Sequence, residues 1–319
     1  MIQLDKSQIQ DRFDFARAVD AIRAAYIAVA QGRVQTPPVT YLGFPEVAGD
    51  CHVKSGHIEG DDIFVIKIAT GFYDNPSKGL PSSNGMNLVF SAKTGAPVAF
   101  LQDEGWLTDI RTGIGGALAT QALAVEGFEN VLIVGTGLQA RHQAKCLQQL
   151  IPDRPLSFQI WGRSPDQAKA TADDLMSMGL KTEHAEDLPS ACKTAQAIIT
   201  TTPAQSFLIA NDWVQPGAHI SAVGADCPGK QELEADLVAR ADLLVCDSPE
   251  QCLDHGEFQT LAKIGHLSKT DVATLGNILS GAHPGRQSAD QITIADLTGL
   301  AAQDIAISSA LQIETGQPA

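Results

Sequence analysis

Positive charge is scarce in this chain of 319 residues: 22 Lys and Arg stand against 37 Asp and Glu, a formal net charge of −15. That deficit argues against nucleic acid as a partner, because neutralising phosphates needs a basic footprint. It equally disfavours docking on anionic lipid. Any anionic ligand must be met by a local cluster of cations, against an unfavourable overall field. Metal-type cysteine spacing is missing as well. Cys51, Cys146, Cys192, Cys227, Cys246 and Cys252 are scattered, with no pair at the spacing of a zinc ribbon. No apolar run is long enough to span a bilayer, and the opening "MIQLDKSQIQDRFDF" is charged and lacks the apolar core of a secretion signal. These absences lead to the expectation of a cytoplasmic protein with reduced thiols, no membrane partner and no bound metal.

What is present is ordinary folded sequence, 44% apolar and 18% charged, long enough for two domains. From about Val131 short apolar runs alternate with helical stretches. "VLIV" (131–134), "SFQIW" (157–161), "AQAIITT" (195–201), "AHISAV" (218–223) and "DLLVC" (242–246) read as strands buried on both faces of a parallel sheet. "QARHQAKCLQQL" and "SPDQAKATADDLMSM" between them carry helical spacing and a polar face. The pattern predicts a doubly wound α/β Rossmann domain over 116–298. The first 115 residues differ. A helical segment, "FDFARAVDAIRAAYIAVAQG", is followed by "DIFVIKIATG", "MNLVFSA" and "APVAFLQ" with turn chemistry such as "KTGAP" between them. That suits an antiparallel sheet. The tail from Thr298 reads as an apolar-faced helix returning to this first domain. The expectation is an α+β substrate-binding and dimerisation domain built from 1–115 and 299–319.

In "VLIVGTGLQARHQ" Gly135 and Gly137 follow a strand and open a helix. Gly135 allows the tight turn, Gly137 lets a pyrophosphate approach the backbone, and Leu138 and Gln139 begin a helix whose N-terminus favours negative charge. Ala140 stands where the fingerprint has its third glycine. A tight βα turn alone would look the same, but the flanking βαβ units favour a nucleotide cofactor. At the end of the second strand Gly162 replaces the acidic residue that would hold a ribose hydroxyl. Arg163 and Ser164 there could accept a 2′-phosphate, which leans toward NADP.

Three further features concern charge. Lys54 and Lys67 lie in "DCHVKSGHIEGDDIFVIKIATGFYDN", Lys67 inside an apolar run. In "GWLTDIRTGIGG" Thr108 reads as a helix N-cap, which puts Arg111 in the first turn, poorly placed for the helix dipole but well placed beside a bound anion. In "ISAVGADCPGKQEL" Asp226 follows an apolar strand, at the sheet edge where open α/β folds hold ligands. A surface ion pair for Arg111 and a plain turn residue for Asp226 are the bland alternatives. "DHGEF" (254–258), His52 and His57 fit no common metal site and read as solvated loops.

Together "VIKIATGFYDNPSKGLPSSNG", "TGAPVAFLQDEGWLTDIRTG", "VGTGLQA" and "GADCPGKQEL" resemble the ornithine cyclodeaminase/μ-crystallin family, in family order and over most of the chain. The resemblance implies that Lys67 and Arg111 bind a substrate carboxylate, that Asp226 is the acid/base and that Lys230 touches the nicotinamide cofactor. It implies cofactor contacts at Ser82, Arg111, Thr112, Leu138, Gln139, Thr201, Ser221, Ala222 and Val223, a substrate contact at Thr298, and a homodimer formed through the non-Rossmann domain. Two positions depart from the family. Pro38 stands where a carboxylate-binding arginine is expected, with Arg33 nearby, and Lys54 stands where ornithine cyclodeaminases carry an acid. A lysine there reverses the local charge and points to a small dicarboxylate. Within the family the chain is most similar to imine reductases, which implies hydride transfer to the C2 imine of iminosuccinate, giving L-aspartate. NAD(H) is the implied cofactor, and Arg163 leaves NADP(H) open. A cyclodeaminase-type lyase with bound NAD, a relative serving ectoine breakdown, and a non-catalytic NADPH-binding protein are the other readings.

Overall fold

The computed structural model describes residues 1–313, and the chain divides into two compact units, 1–111 with the segment from Leu300 onward, and 112–299. No helix among the described residues is long and apolar enough to cross a membrane.

The first unit opens with β1 (Ile2–Asp5), α1 (Lys6–Arg12) and α2 (Phe15–Ala30). Asp14 caps α2 by accepting from the Arg17 amide. Ala18, Val19, Ile22, Ala25 and Tyr26 form its buried stripe, the spacing of one helical face. The strands β2 (Val34–Gln35), β3 (Thr40–Phe44), β4 (Gly49–Ile58), β5 (Ile63–Phe72), β6 (Ser83–Ser91) and β7 (Pro97–Gln102) follow, and then α3 (Trp106–Leu123) begins. The sheet order is β1-β7-β6-β5-β4-β2, with β3 paired to β4. Every pair is antiparallel except β1 with β7. The C-terminal helix, Ala301–Ser309, packs on α2, β4 and β5. Gly56 permits that approach, since a Cβ there would lie 2.9 Å from Ile305 Cδ1.

The sequence reading anticipates the helix and three of these strands. It does not anticipate β4, whose "GDCHVKSGHI" is too polar to read as a strand; pairing with β5 along eight residues supplies what its side chains lack. His52 and His57 therefore lie on a strand and not in a solvated loop. His57 Nδ1 lies 2.9 Å from the Ile63 carbonyl, and His52 pairs with Asp50.

The second unit holds β8 (Asn130–Val134), α4 (Leu138–Leu150), β9 (Ser157–Trp161), α5 (Pro165–Ser177), β10 (Lys181–His184), β11 (Ala197–Thr200), β12 (Gln205–Ile209), β13 (His219–Ala222), β14 (Gln231–Leu233), β15 (Leu243–Cys246), β16 (Ala273–Thr274) and β17 (Thr293–Asp296). Its main sheet runs β10-β9-β8-β11-β13-β17-β15-β16, all parallel. β8 has its sequence successor β9 on one side and β11 on the other, which makes the β8/β11 edge a topological switch point. The chain is thus α/β, with a doubly wound Rossmann-type unit and an α+β unit made from the N-terminal segment and the C-terminal helix. β10 and β17 escape the sequence reading because "KTEH" and "TIAD" lack apolar continuity, although every residue of β17 is buried.

The "DHGEF" segment is also not a solvated loop. Glu257 and Phe258 are buried, and the Glu257 carboxylate accepts from the backbone amides of Glu232 and Leu233. Burial pushes its carboxyl well above the ordinary range, with neighbouring Glu232 adding to the effect.

Candidate active site

The register of β4 and β5 sets Lys54 directly opposite Lys67. β6 extends the row with Asn87 opposite Lys67, and β7 with Leu101 opposite Asn87. Residues directly opposite in an antiparallel pair project from the same face with Cβ atoms about 5 Å apart. The two lysines separated by thirteen positions in the chain are therefore nearest neighbours across the sheet, on the face covered by the C-terminal helix. Like charges placed so are repulsive, and a nearby anion relieves that repulsion.

The protein supplies one from the C-terminal helix. Lys67 Nζ lies 3.0 Å from both carboxylate oxygens of Asp304, and Arg111 Nε lies 3.2 Å from Oδ1. The group is almost closed to solvent, with Lys67 3%, Arg111 6% and Asp304 3% exposed. Gln303 holds the other end of the guanidinium. Its Oε1 accepts from Arg111 Nη1 at 3.1 Å, and its Nε2 donates to the Tyr26 hydroxyl at 2.9 Å. Asp304 thus engages Nε and Gln303 engages Nη1, which leaves Nη2 as the edge of the fork for a carboxylate.

Burial shifts the Lys67 ammonium down to about 8, and the Arg111 and Lys54 charges push the same way while Asp304 opposes them. Burial works to raise the Asp304 carboxyl, but Lys67, Arg111 and Lys54 together outweigh it and the net shift is downward. A lysine near 8 can be cationic toward a carboxylate and still give up a proton near neutral pH.

α3 starts at Trp106, not at Thr108. Asp103 is the residue that caps it, its Oδ2 accepting from the Leu107 amide at 2.8 Å, after left-handed turns at Glu104 and Gly105. Arg111 accordingly lies in the second turn of α3, inside a buried ion cluster, and neither the first-turn anion argument nor a surface ion pair describes it. Arg33 is exposed and bonded to Gln31, away from this cluster. Asp304, Gln303, Tyr26, Asn87 and Asp103 went unnoticed in the sequence. The available signal was an acid in the otherwise apolar tail "GLAAQDIAISSAL", where a buried carboxylate needs a partner.

In the second unit the glycine turn joins β8 to α4. Gly135 has φ +136° and stands close against Thr201, whose Oγ1 would lie 2.3 Å from any Cβ added there. Gly137 is the N-cap of α4, with no side-chain cap, and a Cβ added to it would meet nothing within 4 Å. A helix N-terminus without a side-chain cap, opening onto space, fits a pyrophosphate. Leu138 and Gln139 open the helix. Ala222 ends β13 beside Thr200, and Val223 follows it. The Ser221 hydroxyl is committed inward, to His219 Nε2 at 2.8 Å and Thr120 Oγ1 at 3.0 Å.

Asp226 lies four residues past the end of β13, exposed, with Lys230 Nζ 2.6 Å from its Oδ1. Thr298 is buried and its hydroxyl lies 3.0 Å from both Asp247 and Gln251. Gln143 donates to the Thr112 carbonyl at 3.1 Å. At the end of β9 Arg163 is exposed, and Ser164 caps α5 by accepting from the Gln167 amide, which leaves the Arg163 guanidinium and the Ser164 O–H as side-chain donors there. Ser82 lies in the first unit, its carbonyl accepting from the Phe72 amide at 2.8 Å. Among the described residues no three His, Cys, Asp or Glu gather to hold a metal.

Comparison with known proteins shows similarity along nearly the whole chain. An uncharacterized cyclodeaminase of Sinorhizobium fredii is 39% identical over 298 residues, 91% of this chain and 87% of that protein. The structure of Thermococcus litoralis Delta(1)-pyrroline-2-carboxylate reductase in complex with NADH and L-proline superposes with TM-score 0.89 at 26% identity, covering 98% of this chain and 96% of the other. The iminosuccinate reductase of Paracoccus denitrificans in complex with NAD+ gives TM-score 0.86 at 27% identity, covering 98% and 95%. The family model for ornithine cyclodeaminase/mu-crystallin proteins matches residues 2–314. Because that match runs along nearly the whole chain, this protein belongs to the ornithine cyclodeaminase/mu-crystallin family.

Proposed function

We propose that the protein is an NAD(H)-dependent imine reductase that converts a small imino dicarboxylate, iminosuccinate, to its amino acid, L-aspartate. The observation that carries this reading is the Lys54–Lys67 pair across β4 and β5, beside Arg111. Two cations set face to face across the sheet, Lys67 buried and Lys54 half-buried, suit a ligand with carboxylates at both ends. Lys67 and the Nη2 edge of Arg111 take the carboxylate next to the imine, and Lys54 takes the distal one. Bound nicotinamide supplies the hydride, and the glycine turn with Thr201, Ala222 and Val223 is where this chain would hold the dinucleotide. NADH is the proposed form, because imine reductases of similar structure were solved with NADH or NAD+; Arg163 is the feature that suits NADP(H).

The chain's own residues then have two tasks. Orientation comes from the buried clamp, which Asp304 and Gln303 keep in one geometry. Proton delivery to the imine nitrogen falls to Asp226 or to Lys67. The Lys67 value near 8 favours the lysine.

The proposal also assigns a homodimer to the first unit. Phe64, Ile66, Ile68, Leu88 and Phe90 line the sheet face opposite the clamp and stay partly exposed. A second copy is the proposed cover for that apolar face.

The testing experiment follows NADH absorbance with oxaloacetate and ammonia, and repeats it with pyruvate and ammonia. Faster reduction with the dicarboxylate is expected. In Lys54→Met the preference should shrink by about tenfold to a hundredfold, the range for losing one charge-assisted hydrogen bond; an unchanged preference would remove Lys54 from the site. The identity to a cyclodeaminase favours a second reading, a lyase that returns the hydride it takes. Ammonia release from ornithine with no net absorbance change would support that reading and overturn the first.

The pH dependence is signed by Lys67. Its binding form is the cation, half present at about pH 8, complete well below that and lost above. With the imine concentration held constant, kcat/KM should be flat on the neutral side and fall about tenfold per pH unit on the alkaline side. An alkaline limb near the unperturbed lysine value would contradict the assignment.

A further inference from the structure

One member of the charged row is neutral. Asn87 extends from β6 directly opposite Lys67 and is 1% exposed. Its Oδ1 is buried and accepts no hydrogen bond from any described residue. Its backbone belongs to the sheet, so the strand's alternation forces the amide onto the covered face. A buried acceptor without a donor is costly and uncommon in native proteins. A second oxygen is in the same condition. Asp103 Oδ1 is buried without a partner, close enough to Lys67 for the two charges to interact.

The ionisable groups around this place are Lys54 from β4, Lys67 from β5, Asp103 before α3, Arg111 from α3, Asp304 from the C-terminal helix and Tyr26 from α2. Lys54, Lys67 and Arg111 are donors, suited to carboxylate oxygens. A carboxylate carries only acceptors and cannot satisfy Asn87 Oδ1. An imine or amino group brings the N–H that this oxygen lacks.

We infer that Asn87 is a specificity-determining residue, whose Oδ1 accepts a hydrogen bond from the substrate nitrogen and so selects nitrogen-bearing carboxylates over their amine-free analogues. The inference rests on the imino-acid reading above and adds to it the group that recognises nitrogen.

The test is calorimetric titration of the full chain saturated with NADH, a combination in which amino acid and cofactor are both reduced and cannot react. Three ligand pairs are compared: L-aspartate with succinate, L-alanine with propionate, and L-proline with cyclopentanecarboxylate. Wild-type protein should prefer the amino acid in at least one pair. Asn87→Leu should weaken that amino acid about tenfold and leave its amine-free partner within about twofold, which also reports that the pocket is intact. Asn87→Asp keeps an acceptor and should keep the preference. Asn87→Ala serves in place of the leucine variant should that one fail to fold. A wild-type preference that survives in both the Leu and Ala variants overturns the inference and leaves the imino-acid reading standing. Equal weakening of both members of a pair reduces Asn87 to a packing residue and overturns it too. Wild-type protein that binds no member of any pair and reduces no imine overturns both.

Discussion

Lys67→Met is expected to lower kcat/KM for imine reduction by about three orders of magnitude and to leave NADH affinity within about twofold. Two losses combine. The substrate carboxylate loses a desolvated cation that orients it, and the imine nitrogen loses a group able to move a proton near neutral pH; general acid–base assistance alone is worth about a hundredfold to ten-thousandfold. Lys67 Nζ is held 3.0 Å from both Asp304 oxygens, so its position is preorganised and its loss cannot be made good by a neighbouring side chain. The fold should survive, because Arg111 Nε still faces Asp304. Steady-state kinetics with a circular dichroism melt checks this. Asp226→Ala is the discriminating companion. If Lys67 delivers the proton, Asp226→Ala keeps more activity than Lys67→Met; if Asp226 does, the order reverses. Near wild-type turnover in Lys67→Met would end the mechanism.

Much of this was legible in the sequence, and the illegible part has one cause. Gly135 and Gly137 announce their turn because the requirement is local: a left-handed φ at one and open space at the other. Lys67 announces itself as a cation inside an apolar strand. Its relation to Lys54 is a matter of register, and register is decided by pairing along two strands that no single segment reveals. Asp304 is further removed, 237 positions from Lys67. On its own helix it is merely an acid among alanines and isoleucines, and only packing of that helix on β4 and β5 gives it a meaning. The start of α3 went the same way. Thr108 is a good cap by composition, but Asp103 turns the chain earlier through Glu104 and Gly105 in left-handed conformations. Glu257 looked solvated because glutamate usually is; two backbone amides of the β14 strand claim it instead.

Asp304→Asn should be the most disruptive substitution for stability. Removing one partner of a buried ion pair leaves the others uncompensated, at a cost of about 3 kcal/mol or more. Arg111 cannot shed its charge, and Asn offers it one neutral oxygen. Lys67 can escape by releasing its proton, so the same variant should move the alkaline limb of kcat/KM below pH 8, since the Asp304 charge is what opposes the downward shift of Lys67. The acid side has the opposite sign. The Asp304 carboxyl is lower in the folded chain than its ordinary value of 3.8. Its contribution is therefore present above that value and is lost as pH falls through the folded one. Wild-type protein should lose stability there, and the variant should have nothing left to lose from this group. Asp304→Glu keeps the charge and should recover part of both effects. The double variant Lys67→Met with Asp304→Asn removes both charges and should be destabilised by less than the sum of the single variants, because neither is then left facing an empty place. Additive losses, together with an alkaline limb that stays at 8, would mean that Asp304 only packs the C-terminal helix and has no part in tuning the clamp.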